Sequence, residues 1–427
     1  MLLSMRFGNF LSYKNETEFC MTAAPLREKV EELNTLPLFS FKGENVLKSA
    51  AIFGPNGGGK SNVLKAFQFF VETILPNKQE DFWQNFRYKY SNPFLLNNNS
   101  LNSSTMAEVS FAIGDTEYRY GFEILKNKIE QEWLYKKQER ETQIFSRKKQ
   151  DFQINGEYKI FKHLESNKMI REDALLLPLS SQFNEPTSRK ILEYLQTYYF
   201  FDSFEITSFI HGSKAAGRLE EPEFLQKLLD LLKKADTGIQ NIKLKKDKKL
   251  NIPSPGNQEV EAFLNLFTNK QSILSYRNIY NDEGNLGTTH EFIFSKFESE
   301  GTRKFFDVAA VALEVIEKGG VLFIDEIDTK FHPILTQNLI KLFYDAKFNP
   351  NNAQLIFTTH DIALLDVNLL RRDQIWLAEK DSLGASKLTP LNEFKSEDGK
   401  GIRNDEAIAK NYLRGKYGAL PIISSLN

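Results

Sequence analysis

The residues Gly54-Pro55-Asn56-Gly57-Gly58-Gly59-Lys60-Ser61 could hold a row of phosphates. They match GxxxxGK[ST], a pattern in which glycines let backbone N–H groups turn toward a polyanion. Lys60 would put a point charge on the phosphates and Ser61 a hydroxyl on Mg²⁺, with Asn62 opening the helix beyond. A second candidate pair, Asp325-Glu326, ends the apolar run Val321-Leu322-Phe323-Ile324. There Asp325 would hold Mg²⁺ through its water shell, and Glu326 would polarise an attacking water as general base. His360 ends another apolar run, Leu355-Ile356-Phe357, through Thr358-Thr359, where an imidazole could touch a γ-phosphate. A lone His at a strand end is more often structural, but this one follows a buried strand downstream of the carboxylate pair. Together these groups predict a chain that binds a nucleoside triphosphate.

Such groups act only if elements place them at one point. Ala50-Ala51-Ile52-Phe53 before the loop reads as a buried strand, and 62–70 as a helix. Strand, glycine loop and helix in that order separate a phosphate cradle from a glycine-rich turn without a ligand. Residues 303–318 carry Phe305, Val308, Ala309, Ala312, Leu313 and Ile316 on one helical stripe. Just before it sits Ser299-Glu300-Gly301-Thr302, a serine and a glycine at a helix N-terminus, again suited to phosphate. Strands and helices alternating from 303 to 360 imply a parallel sheet with functional residues at strand C-termini.

Lys60 and Asp325 lie too far apart for a compact GTPase or small-molecule kinase, so a large insertion must split one nucleotide-binding head. From about 100 to 160 the apolar period is two: Val109/Phe111/Ile113, a Gly114-Asp115 turn, then Tyr118/Tyr120/Phe122/Ile124. This predicts an antiparallel sheet. Leu225, Leu228, Leu229 and Leu232 share one helical face after Pro222, without sustained heptads. The expected fold is α/β: a P-loop parallel sheet plus an antiparallel β-rich subdomain, a short helical insertion and no long coiled coil. Its expected parts are residues 1–75 and 291–380 as the two halves of the head, 76–184 as the β-rich lobe, 185–290 as the helical insertion and 381–427 as a C-terminal tail. The basic run Leu244 to Lys249 reads as a solvated hairpin tip in preference to a DNA contact.

With 55 Lys and Arg against 56 Asp and Glu, composition offers no generic grip on nucleic acid or anionic membrane. One cysteine, Cys20, forms no internal disulfide and fits a reducing compartment. No run of 18 apolar residues occurs and no signal peptide is read at the N-terminus. The expected setting is cytoplasmic, without a membrane. His163, His211 and His290 lack ligand-like spacing.

Lys60/Ser61, Ser299-x-Gly301-Thr302, Asp325-Glu326, Asp328 and His360 stand in the order of Walker A, signature, Walker B, D-loop and H-loop. The chain therefore resembles an ABC-type ATPase of the SMC/RecF-like class. More narrowly, it is similar to prokaryotic AAA-type ATPases of the RloA/AbiL abortive-infection group. Leu370 to Trp376 and Tyr412 to Pro421 look like that group's tail. The resemblance implies ATP and Mg²⁺, with Gly54, Pro55, Asn56, Gly57, Gly58, Gly59, Lys60 and Asn62 around the phosphates. Ser61, Asp325 and Gln182, as the Q-loop residue, would serve Mg²⁺; a buried loop amide is the other reading of Gln182. Ser299, Gly301, Thr302 and Asp328 would meet ATP bound to a second copy, although Ser-Glu-Gly-Thr replaces the two-glycine loop of the ABC pattern.

The implied mechanism is an ATP sandwich between two heads, a homodimer or higher homo-oligomer loosened by hydrolysis. Its turnover would be slow and regulated by a partner. Group members are often encoded beside a nuclease-like or Toprim-containing protein, so the leading expectation is an anti-phage switch controlling a separate effector. The alternative is a repair or recombination ATPase acting directly on DNA. Neutral charge and absent coiled coil favour the first. A transporter ATPase fits the β-rich insertion poorly, a fused nuclease lacks room after His360, and a scaffold that only binds ATP stays open.

Overall fold

In the computed structural model the run before the glycine loop is a strand, β5 (Ser49–Phe53), buried at every position. Burial on both faces is what an apolar run without alternation requires. The structure describes residues 1–26, 35–37, 44–75, 93–202, 218–246, 271–395, 401–403 and 406–420. The chain divides into two compact units. One comprises Met1–Asp202, Val315–Asp328 and Thr336–Asn427; the other comprises Ser203–Glu314 and Thr329–Leu335.

The first unit holds two large sheets. An antiparallel sheet has β1 (Leu2–Gly8) and β2 (Thr17–Cys20) at one side. It continues through β6 (Thr105–Ile113), β7 (Thr116–Leu125), β8 (Lys128–Lys137), β9 (Glu141–Lys148) and β10 (Asp151–Ile154), in the order β10-β9-β8-β7-β6-β1-β2. Val109, Phe111, Tyr118, Tyr120 and Phe122 are buried, as the period of two predicts. A two-stranded piece pairs β3 (Thr35–Pro37) with β4 (Asn45–Leu47).

The second sheet adds β11 (Tyr198–Asp202), β15 (Val321–Asp325), β16 (Gln354–Thr358), β17 (Ile375–Lys380) and β18 (Ser386–Pro390). Its order is β11-β15-β16-β5-β17-β18, parallel except for β18. The C-terminal ends of β5, β15 and β16 thus lie side by side, the place where open parallel sheets bind ligands. Helix α1 (Lys60–Ile74) follows the glycine loop and packs between the two sheets. Phe67 meets Phe323 of β15 with ring centroids 4.7 Å apart, and Phe70 stacks on Phe122 of β7 at 5.7 Å. Beside the antiparallel sheet lie α2 (Lys159–Ser166), α3 (Leu176–Gln182) and α4 (Pro186–Leu195).

The second unit has a three-stranded antiparallel sheet of β12 (Asn241–Lys246), β13 (Gln271–Tyr280) and β14 (Leu286–Ile293). With it go α5 (Pro222–Lys234), α6 (Phe294–Phe297) and the first part of α7 (Glu300–Lys318). Helix α8 (Pro333–Tyr344) begins in this unit and continues in the first. On α5, Leu228, Leu229 and Leu232 are buried as expected; Phe224 and Leu231 join them while Leu225 is half-buried.

The stretch 185–290 is therefore not simply helical. Its start, α4 and β11, belongs to the first unit, because the aromatic run Tyr198–Asp202 pairs in parallel with β15. Its end is β-sheet, where Ile273 and Leu274 of β13 are buried. Leu244 to Lys246 of the basic run lie in β12, and Lys248 and Lys249 fall outside the described residues. Among the described residues no helix is long and apolar enough to cross a membrane.

One side chain stitches the two sheets of the first unit. Gln354, at the start of β16, is buried; its Oε1 accepts from Leu2 N at 2.6 Å. Its Nε2 donates to Leu2 O and Leu47 O, both at 3.0 Å. Gln354→Leu keeps the bulk and strands three buried backbone groups. It should destabilise the protein by about 2–4 kcal/mol, read as a lower midpoint in urea denaturation.

Candidate nucleotide site

The glycine loop reverses direction with backbone angles open to few other residues. Gly57 and Gly59 have φ of 72° and 108°. Gly54 has φ of 150°, and a Cβ there would lie 2.1 Å from Ala378 O of β17. Gly59 starts α1 without any side-chain cap, and no acidic residue occupies the first turn. Uncapped amides at the positive end of a helix are what an anion needs.

Lys60 is buried and its ammonium spends three donors close to home. It donates to Gly54 O at 3.0 Å, to Pro55 O at 3.1 Å and to His360 Nε2 at 2.8 Å. Acceptance at Nε2 puts the proton of the neutral ring on Nδ1. Burial lowers the Lys60 pKa, opposed by the charges of Glu326, Asp325 and Asp328. The His360 pKa is also lowered, first by burial and then by Lys60.

Strand β15 delivers Asp325 beside the loop. Asp325 Oδ1 accepts from Ser61 Oγ at 3.0 Å and from Thr358 Oγ1 at 2.6 Å. The next residue, Glu326, takes left-handed backbone with φ of 51°, and its N–H donates to Thr358 Oγ1 at 2.7 Å. Asp328 Oδ1 accepts from His360 N at 3.4 Å. Lys60, Ser61, Asp325, Glu326, Asp328 and His360, scattered in the chain, form one connected set. Ser61 Oγ and Asp325 Oδ1 are hard oxygen donors within reach of one small cation; with only two, phosphate oxygens and water would complete an Mg²⁺ shell.

Other parts of the sequence-derived set are placed differently. Gln182 is exposed at the C-terminal end of α3, whose first amides bond Glu132 of the antiparallel sheet. It is thus neither a buried loop amide nor hydrogen-bonded to Ser61. Asn62 turns its side chain to Ser12 Oγ at 2.7 Å and so braces the loop. In the second unit, Ser299 Oγ accepts from Thr302 N at 3.1 Å and lies 2.9 Å from Thr302 Oγ1. The serine caps its own helix α7. A Cβ on Gly301 would stand 2.8 Å from Lys330 O, so that glycine permits a close backbone approach. His163 and His290 are exposed, and His211 lies outside the described residues.

Sequence reasoning missed the groups that brace the loop from behind. Ser386 Oγ of β18 donates to Gly58 O at 2.9 Å, and Tyr13 OH donates to Gly59 O at 3.3 Å. It also missed a C-terminal wall. A cavity of about 770 Å³ opens beside the loop, lined by Pro55, Asn56, His360, Glu379, Tyr412 and Gly418, among others. Helix α9 (Ile408–Leu413) brings Tyr412 to Phe53, and Ala419 N donates to Glu379 Oε2 at 3.0 Å. No local pattern flags Ser386, Tyr13 or Glu379, and Tyr412 to Pro421 reads in the sequence only as a family-like tail, not as a wall of the site. Thr358 carried a signal, as a hydroxyl ending the apolar run 355–357.

Gly54→Ala should weaken binding of a fluorescent ATP analogue at least about tenfold while the far-UV spectrum is kept, because the loop cannot close against Ala378. A second expectation concerns pH. With its folded pKa below the ordinary 6.5, His360 binds a proton more weakly folded than unfolded. That contribution costs nothing above pH 6.5, grows as pH falls from there to the folded pKa, and levels off below it. His360→Gln should therefore flatten the acid side of a melting-temperature profile.

A family model described as "AAA domain, putative AbiEii toxin, Type IV TA system" matches residues 49–366, about three quarters of the chain. Among solved structures, the "SMC head domain from Thermotoga maritima" is similar at 12% identity with a TM-score of 0.42. That alignment covers 91% of this chain and 98% of the other. No curated protein matches the sequence. The glycine loop, the Asp325-Glu326 pair and His360 all fall within the matched span, and the chain belongs to this AAA-domain family.

Proposed function

We propose that the chain binds ATP with Mg²⁺ and hydrolyses it slowly, as a switch that controls a partner. The observation that carries this reading is the junction of Ser61 and Asp325 at 3.0 Å beside Lys60 and His360 at 2.8 Å. Phosphates seated on the amides of Gly57 to Ser61 would take over the Lys60 donors now held by Gly54 and Pro55. Ser61 and Asp325 would hold Mg²⁺, which when bound neutralises phosphate oxygens. Glu326 would take the proton of the attacking water, with His360 and Lys60 facing the terminal phosphate.

In this reading, Ser299, Gly301, Thr302 and Asp328 meet the ATP of a second copy, making a homodimer or higher homo-oligomer held by nucleotide. The family description names a toxin and a toxin–antitoxin system, which supports a role in defence. On that basis the chain would act in the cytoplasm as a member of the RloA/AbiL group, regulating a separate nuclease- or Toprim-like effector, with DNA as a possible further ligand.

Phosphate release by the wild type should exceed that of Lys60→Ala by at least about 100-fold. Equal rates would leave a nucleotide-binding scaffold. Glu326→Gln should retain ATP and run as a dimer in size-exclusion chromatography; a monomer with ATP bound would overturn the sandwich. A nuclease or toxin copurifying with the trapped form would support the defence role, and DNA alone would favour repair.

A further inference from the structure

We propose that Thr358 is a positioning residue for the carboxylate pair, acting through its hydroxyl. It is fully buried at the end of β16, the strand between β15 and β5. A hydroxyl has one proton to give, and both of its bonds here have a fixed sense. A carboxylate only accepts, so the proton goes to Asp325 Oδ1 at 2.6 Å. A backbone N–H only donates, so the lone pair takes Glu326 N–H at 2.7 Å. The Thr358 carbonyl then accepts from Ile327 N at 3.0 Å.

One residue thus grips three consecutive positions across the strand boundary. Between them Glu326 sits in left-handed backbone, φ 51°, which residues other than glycine adopt seldom and at some cost. The hydroxyl ties that turn to the carboxylate next to Ser61, so the orientation of Glu326 and the place of Asp325 are set together. Ser61 reaches the same Oδ1 at 3.0 Å. Loss of the hydroxyl would remove one of the bonds that orient the carboxylate and the one that ties the Glu326 amide to it, without touching the glycine loop.

This inference rests on the reading of Asp325 and Glu326 as the groups that serve ATP hydrolysis. Thr358→Val keeps the shape and removes the hydroxyl. It should lower kcat about 10- to 100-fold with little change in KM for ATP, and raise the Mg²⁺ concentration giving half-maximal rate. Binding of a fluorescent ATP analogue in EDTA, which does not depend on the carboxylates, should stay within about threefold of wild type. Thr358→Ser, which restores the hydroxyl, should return kcat to within about threefold. A Val variant as fast as wild type, or a Ser variant as slow as Val, overturns the role of the hydroxyl. If the Val variant does not fold, the Ser variant alone decides: a kcat lowered tenfold or more overturns the inference. A wild-type protein without phosphate release would overturn the proposed ATPase instead. The Mg²⁺ concentration that half-maximally tightens analogue binding would then decide: raised in Thr358→Val, it still assigns Thr358 to the metal-side carboxylate, and unchanged, it rejects the inference.

Discussion

Phe67 and Phe70 leave helix α1 toward different sheets, the first onto Phe323 of the parallel sheet and the second onto Phe122 of the antiparallel one. The helix is consequently buried on most of its circumference, at Val63, Leu64, Ala66, Phe69, Val71 and Ile74 as well. A helix packed on both sides has little freedom to translate or turn, since interiors are dense and a small shift costs contacts on each face. Its N-terminus carries the glycine loop, so the site inherits its position from this burial. The same helix fixes Ser61 against Asp325, because Phe323 stands two residues before Asp325 on β15.

Polar side chains supply the register that apolar packing leaves open. Gln354 joins β16 to β1 and β4, and Gln374 donates to Ser49 O at 2.9 Å beside Tyr344. Each is buried, so slippage of a strand would leave amides and carbonyls without partners. In the antiparallel sheet Glu132 is fully buried between Tyr120 OH, at 2.9 Å, and the first amides of α3. Burial raises its pKa and the Arg147 charge opposes that rise. These bonds determine which residues end up at the strand ends, and therefore which reach the site.

The site itself holds one unusual backbone conformation and one close backbone approach. Glu326 stands in left-handed backbone, and Gly54 meets the carbonyl of Ala378 at a distance that excludes a side chain. The cavity beside the loop is walled by Glu379, Tyr412 and Gly418, beyond the end of the family match at residue 366. That wall belongs to this chain's own C-terminal region. Its contacts with Phe53 and Glu379 bring the far end of the sequence to the site.

The sequence by itself determined the phosphate loop, because its glycines, Lys60 and Ser61 are contiguous and their conformation is a local property. It also determined the buried strands β5, β15 and β16, since uninterrupted apolar runs have few other places to go, and the antiparallel lobe through its period of two. It did not determine Gln182, whose position depends on how α3 docks, nor the mixed nature of 185–290, where β11 is chosen by its partner β15. Ser299 is a milder case: its type suited a phosphate, and the fold adds that its hydroxyl also caps its own helix through Thr302 N. The bracing by Ser386 and Tyr13 and the place of the C-terminal wall beside the loop were decided by tertiary structure alone. Each acts through one hydrogen bond or contact to a residue remote in the chain, and such pairings leave no spacing in the sequence from which to read them.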